Sequence, residues 1–484
     1  MTPIRPLRFG GVALAAAAAA TCSDSTAPLA ATHIDVTPPV VIVAVGQSVQ
    51  LAAVARDDAG AAIPGAAFTF ESEAPAIASV SGGGRVSGVA SGTTTVLVSG
   101  QSASARVPVR VGGIPATIAV TPTGPEVLQG ATLQLVATVR DAQGAVIPGA
   151  LVSFATSNPA VATVAPTGVV TGVGPGPVSI IVSAPPATVT VEVAVLGHPA
   201  GTTVTTAQVP GGPWGVAIST AGVAYVTSLD GFLSRADLPA TSFGITVPVG
   251  QVPTDVAFDP SGARAYVTNQ FSRNVGIVDV ATNTQVDVIP VNGDAFRVAV
   301  TPSGQRLYVT TNANNLLVIE LPSKTVRLEY ALGGPGNGLV FHPNGVLLYG
   351  TTMGGVVYEI NTVTDSARAL LTTGVLQDLA IAHDGSELYI AKEDGNLEIR
   401  DAASGALITE LSAAAGAFGL RLSPDGRQLY AGIVFGGTVR VLDRATRAVV
   451  RSIPISDPRR IAFDRYGTTA LITSQSTNTV HVVR

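Results

Sequence analysis

The chain of 484 residues has one cysteine, one tryptophan and two methionines. A single thiol excludes an internal disulfide and any multi-thiolate zinc or iron–sulfur centre. Charged residues make up only 12%, against roughly 25% in ordinary soluble domains. Aromatics are 5% and the net charge is −5. That balance gives no basic footprint for nucleic acid. The shortage of Glu, Lys and Arg also argues against coiled coils and long helices. What the chain does have is 53 glycines, 33 prolines and 46% hydrophobic residues, mostly small or β-branched. These favour many short strands and tight turns. They exclude a disordered chain, which is poor in apolar residues and rich in charge. The length sets a prior of roughly three domains at about 150 residues each.

Residues 1–21 have the order of an export signal: Arg5 and Arg8, then an apolar run from Val12 to Ala20, then small residues. The run is short of the roughly 20 residues that a bilayer span needs. No later segment reaches that length without a Gly, Pro or polar break, so no other span is expected. The sole thiol, Cys22, stands where the signal would be cut. The segment AATCSDSTAP resembles a bacterial lipoprotein processing site, whose cysteine becomes the lipidated first residue. The resemblance implies a membrane anchor on Cys22, and Ser23 after it favours the outer membrane. The alternatives are plain secretion and an uncleaved anchor. Residues 22–32 read as a tether.

Two copies of one module follow, in register at an offset of 84 without a gap. Gly46 matches Gly130, Leu51 matches Leu135, Phe70 matches Phe154, Gly84 matches Gly168 and Gly92 matches Gly176. QLAAVARD and QLVATVRD alternate apolar and polar residues, as half-buried strands do. Strand signals recur at about 8–12-residue spacing, which suggests an Ig-type β-sandwich. The segments 33–112 and 115–197 resemble the bacterial Ig-like domain, group 2. GQSVQLAAV with GATLQLVAT, SNPAVATV, and RVSGVASGTTTV with VVTGVGPGPVSI carry the resemblance. Neither copy has an aromatic or charged cluster that marks a contact surface. They read as spacers, with adhesion as the alternative.

Residues 203–484 carry a second period. Each unit opens on a strand whose first core residue is Val216, Val256, Val298, Leu339, Leu379, Leu420 or Ile461, at steps of 40, 42, 41, 40, 41 and 41. A turn follows (DPSG, TPSG, HPNG, SPDG and variants), then a second strand that starts near a tyrosine in six units. Four-strand units of this length fit propeller blades of about 40–45 residues. The last unit stops after three strands, so the alternating segment at 204–209 is expected to supply the fourth and close the ring. The chain as a whole is then all-β: two Ig-like sandwiches and a seven-bladed β-propeller. AYVTNQFSRNVGIVDVATNTQVDVIPV (265–291) resembles the YVTN-type propeller repeat. That resemblance is specific for fold and poor for function. Related rings include lactonases and holders of a quinone or of copper.

Propeller ligands usually meet the channel mouth, which is expected where the first strands begin. Trp214, Phe296 and Phe418 there form either an aromatic rim or a plug. Arg297, Arg459 and Arg460 supply donors for an acidic or carbonyl group. Aromatic and Arg anchors are the types enriched in binding hot spots. Asp255, Asn337 and Asp378 offer oxygens of the kind calcium takes. The five histidines are misplaced for channel chemistry: His342 and His383 fall at the turn after the first strand, His33 and His198 outside the ring, His481 in a third strand. GGPGNG (333–338) joins two units rather than opening a helix, which makes it a poor phosphate loop. The reading is a non-enzymatic, exported envelope protein that binds a protein or polysaccharide at the channel mouth, with no cofactor assigned and no nucleic acid. A propeller hydrolase or lactonase with a divalent metal in the channel is the rival, and a purely structural envelope protein the third option.

Overall fold

The structure, a computed structural model, describes residues 31–142, 144–202 and 204–484; the expected signal and Cys22 lie outside the described residues. All regular structure there is β apart from one 3-10 turn, Ser412–Ala414. No helix among the described residues is long and apolar enough to cross a membrane. Residues 31–118, 138–151 and 184–187 form one compact unit; 119–137, 152–183 and 188–484 form the other.

The first unit holds the first module copy. Val41–Val43, Ala103–Val111, Gly92–Gly100 and Thr69–Ser72 make a four-stranded sheet, in which the first pair runs parallel. Ser48–Gln50, Arg85–Gly88 and Ala78–Val80 make a three-stranded sheet. The alternation read in the sequence sends Val96, Val98, Val107 and Val109 inward against Leu51 and Val86. Each such side chain contributes about 1.5–3 kcal/mol when fully buried. Two landmarks of the repeat explain one another. Gly84 has φ +81°, and a Cβ there would sit 2.9 Å from the Phe70 ring. Its counterpart Gly168, at φ +84°, stands equally close to Phe154.

In the second unit the other copy repeats the topology. Glu126–Leu128, Ala187–Leu196, Gly176–Ala184 and Ser153–Thr156 form its four-stranded sheet. Its last strand leads straight to the ring. The Gly197 N–H donates to the Tyr466 carbonyl at 2.9 Å. Arg465 reaches Glu126 at 3.1 Å, and Arg427 donates to the Gln129 carbonyl at 2.9 Å. His198 Nδ1 lies 2.7 Å from Asp425 Oδ2, whose side chain is fully buried. His198 is thus a half-buried tie to the ring rather than a surface residue.

Seven four-stranded antiparallel sheets follow. Their inner strands are Pro213–Ile218, Pro253–Phe258, Ala295–Val300, Gly336–Phe341, Leu376–Ile381, Ala417–Leu422 and Pro458–Phe463, here numbered blades 1 to 7. Each inner strand touches the next, and the first touches the last, so the ring is closed. The seventh sheet contains both ends of the ring: Val204–Gln208 pairs antiparallel with Thr479–Val483, from Val204 opposite Val483 to Gln208 opposite Thr479. Valine, leucine and tyrosine fill the spaces between blades. The buried Tyr225, Tyr308, Tyr349, Tyr389 and Tyr430 are among its largest side chains.

Candidate functional site

The site is built by the start of seven inner strands, each with a register shift at that point. The second residue of each strand stands at the leading end of the channel: Trp214, Thr254, Phe296, Asn337, Gln377, Phe418 and Arg459. The third residue stands one level deeper: Gly215, Asp255, Arg297, Gly338, Asp378, Gly419 and Arg460.

At the leading end Arg459 stacks on two aromatic rings. The Arg459 guanidinium lies 4.8 Å from the Trp214 ring centre and 4.9 Å from that of Phe418. Trp214 and Phe418 meet edge to face at 5.9 Å. Phe296 carries Arg297 over its ring at 5.8 Å. The polar residues of this level bridge blades. Thr254 Oγ1 donates to the Phe296 carbonyl at 2.9 Å. Asn337 Nδ2 donates to the Leu376 carbonyl and to Gln377 Oε1, both at 3.1 Å.

The deeper level is a ring of charge spaced by glycine. A Cβ at Gly215, Gly338 or Gly419 would approach the backbone of the next blade: Thr254 O at 2.8 Å, Asp378 Cα at 3.1 Å and Arg459 O at 2.3 Å, respectively. Glycine therefore lets the strands bearing Asp255, Asp378 and Arg460 close in. Asp378 receives Arg460 Nη1 at 2.9 Å and faces Arg297 Nη2 at 3.9 Å; Arg297 Nη1 lies 3.4 Å from Asp255. Asp255 Oδ2 also accepts from the Val298 N–H, and Asp378 Oδ2 from the Leu420 N–H, each at 3.2 Å. Burial pushes both carboxyls above the ordinary Asp value, against the pull of Arg297, these N–H groups and the Arg421 charge.

A cavity of about 550 Å³ extends from this charged floor toward the other end of the channel, the end of the turns after the inner strands. Asp255, Arg297, Asp378 and Arg460 line it; Trp214, Phe296, Asn337, Phe418 and Arg459 do not. The cavity runs from the floor toward the turn end, away from the side chains of the leading end. His383, expected on the wrong face for channel chemistry, lines a neighbouring depression there together with Arg421.

Calcium does not fit these residues. Asp255 and Asp378 are engaged by guanidiniums and backbone N–H groups, whereas calcium takes 6–8 oxygens. Asn337 is turned away into the blade contact. No group of three or more His, Cys, Asp or Glu suited to a metal occurs among the described residues.

Arg421 was missed by sequence reasoning. It occupies the fifth position of blade 6, where the other blades have Ala217, Ala257, Ala299, Val340, Ala380 and Ala462. Stacking the seven repeats would have shown one arginine among small apolar residues.

Fold and site together define an all-β protein with a closed seven-bladed propeller behind Ig-like sandwiches. The family model of the bacterial Ig-like domain (group 2) matches residues 30–109 and 116–202. No curated protein matches the chain. Among solved structures, hydrazine synthase of Kuenenia stuttgartiensis is similar at 19% identity and a TM-score of 0.52, over 57% of this chain and 96% of that one. At that identity the likeness shows the fold alone.

Proposed function

We propose that the chain is an exported scaffold of the cell envelope, anchored by lipid on Cys22, whose propeller binds a protein or glycan partner at its leading face. The group 2 Ig-like domains support a surface or scaffold role, being typical of extracellular and surface proteins. One observation carries the binding reading. Phe271, Met353 and Phe435 protrude from the turns between second and third strands of blades 2, 4 and 6, and are 61%, 43% and 83% exposed. Those turns lie at the same end as the Arg459–Trp214–Phe418 stack, because each second strand ends beside the start of its first. Exposed apolar side chains grouped around an Arg and aromatic centre are the make-up of a binding hot spot.

The test immobilises the full chain and a Phe271→Ser/Phe435→Ser variant and passes envelope extract over both. A species retained by the first and lost from the second is expected. Protease or glycosidase treatment of the extract then tells protein from glycan. Equal retention by both chains overturns the reading.

A further inference from the structure

Resting on the binding reading above, we propose that the partner of the leading face is a cationic polypeptide segment with apolar side chains, docked across blades 4 to 6. The apolar part of this surface is one continuous strip of turns. Met353 in blade 4, Val375 on the way into blade 5 and Phe435 in blade 6 are all exposed. Main-chain contacts join the segments that carry them. The Thr373 N–H donates to the Gly355 carbonyl at 2.7 Å, the Glu393 N–H to the Val375 carbonyl at 3.0 Å and the Gly416 N–H to the Gly395 carbonyl at 3.0 Å. Ala417, next after Gly416, pairs with Ile433, two positions before Phe435. The strip therefore runs unbroken from blade 4 to blade 6, with the turn of blade 5 (393–396) at its centre.

The charge of that central turn selects the partner. Glu393 and Asp394 are exposed, and neither takes part in an ion pair among the described residues. Lys392 beside them is taken by Glu398 at 2.8 Å. Elsewhere at this end Arg273 is taken by Asp294 at 3.0 Å and Arg459 by Asp457 at 2.8 Å. Arg440 stands further in, third in its strand of blade 6, and donates to Ser452 Oγ. Asp230 in blade 1 is a further exposed carboxylate without an ion pair among the described residues. The leading face is thus short of positive charge, and most so along the apolar strip. Anionic glycans, phosphates and acidic proteins meet repulsion here. A Lys or Arg side chain meets two carboxylates and, at Phe435, an open ring face that takes a cation. Its alkyl stem and apolar neighbours then cover Met353 and Val375.

The two carboxylates are also held in place. Glu393 Oε2 accepts from Gln377 Nε2, and Asp394 Oδ1 accepts from the Val375 N–H at 3.1 Å. Oε1 of the one and Oδ2 of the other are left for a partner. Side chains ordered in advance lose less rotamer freedom on docking than free surface carboxylates do.

The test follows the fluorescence anisotropy of a labelled peptide of alternating lysine and leucine against the full chain, with glutamate–leucine and lysine–glycine peptides as controls. The lysine–leucine peptide is expected to bind, less tightly as salt is raised. Both controls are expected to bind weaker by roughly tenfold or more, one lacking the charge and the other the apolar contact. Glu393→Gln/Asp394→Asn keeps the acceptors for Gln377 and Val375 and removes the charge. It is expected to weaken the peptide roughly fivefold, the scale of two exposed ion pairs. Phe435→Ser is expected to weaken it roughly tenfold, the scale of one aromatic side chain left uncovered. The proposal is overturned if the lysine–leucine peptide does not bind, if either control binds equally well, or if either variant leaves its affinity unchanged. Affinity lost together with a lowered melting temperature also counts against it. Envelope extract separates this proposal from the reading it rests on. A species lost with Phe271→Ser/Phe435→Ser but retained by Glu393→Gln/Asp394→Asn leaves that reading standing and overturns this one.

Discussion

Arg460 of blade 7 donates from Nη1 to Asp378 Oδ2 of blade 5 at 2.9 Å, spanning blade 6 where its third residue is Gly419. The bond exists because that glycine has no side chain. A Cβ at Gly419 would stand 2.3 Å from the Arg459 carbonyl oxygen, a backbone atom that cannot rotate away. Gly419→Ala is expected to push blades 6 and 7 apart and cost about 1–3 kcal/mol, the usual scale of overpacking. Urea denaturation checks it: a midpoint equal to that of the unmodified chain would mean the strands separate without loss.

Much of the fold could be read from residues alone. The recurrence of Val216, Val256 and Val298 through to Ile461 reports buried strand starts, and burial is a local, periodic demand. The missing fourth strand of the last unit pointed to the leading segment, since an unpaired edge must be covered. The orientation of the cavity was not legible. Trp214, Phe418 and Arg459 read as a rim or as a plug, and nothing along the chain shows that they stack on one another. Asn337 and Asp378 likewise look alike as oxygen donors in sequence. One turns into a blade contact and the other into the channel. His198 and Asp425 lie 227 positions apart, and no pattern along the chain links them.

The ring is closed by one short strand pair, five residues on each side. A chain ending at Asn478 lacks the third strand of blade 7, leaves Val204–Gln208 without its partner and exposes the edge of the second strand, Ala470–Ser474. Such a truncation is expected to melt at lower temperature and over a broader range in circular dichroism. An unchanged, equally sharp transition would show that the other six blades hold the ring without this pair.

Acid is expected to loosen the tie between His198 and Asp425. Burial alone would raise the Asp425 carboxyl, but the His198 ring, Ser423 Oγ, the Arg427 N–H and the His198 charge together hold it below its ordinary value of 3.8. An acid with a depressed value in the fold adds stability that is present above 3.8 and is lost as pH falls through the lower value. The melting temperature should therefore drop on acidification below that point. Asp425→Asn should melt lower at neutral pH and show a shallower acid slope. Parallel slopes for the two chains would remove Asp425 from this account.

Glu398 in blade 5 is 2% exposed and is held by Lys392 Nζ at 2.8 Å, Arg400 Nε at 2.6 Å and Thr373 Oγ1 at 2.6 Å. Burial raises its carboxyl, yet these partners bring it below its ordinary value, so it is ionised at neutral pH. Glu398→Gln keeps the shape and removes the charge, leaving two partly buried cations without their counter-ion. Breaking a buried pair in this way costs about 3–5 kcal/mol. Chemical denaturation should show the loss at neutral pH. A change below about 0.5 kcal/mol, the level of an ordinary surface substitution, would mean that Lys392 and Arg400 find water instead.

Trp214 is the only tryptophan of the chain, so tryptophan emission reports on the leading end of the channel alone. Arg459 shields its face, and Asp457 Oδ1 at 2.8 Å keeps the guanidinium in place. Arg459→Ala removes a cation stacked on two rings, worth about 0.5–1 kcal/mol per contact at partly exposed sites. It also opens the indole to water. The emission maximum should move to longer wavelength and quenching by iodide should increase, with the melting temperature falling only slightly. An unchanged maximum and unchanged quenching would mean that Arg459 does not shield the indole.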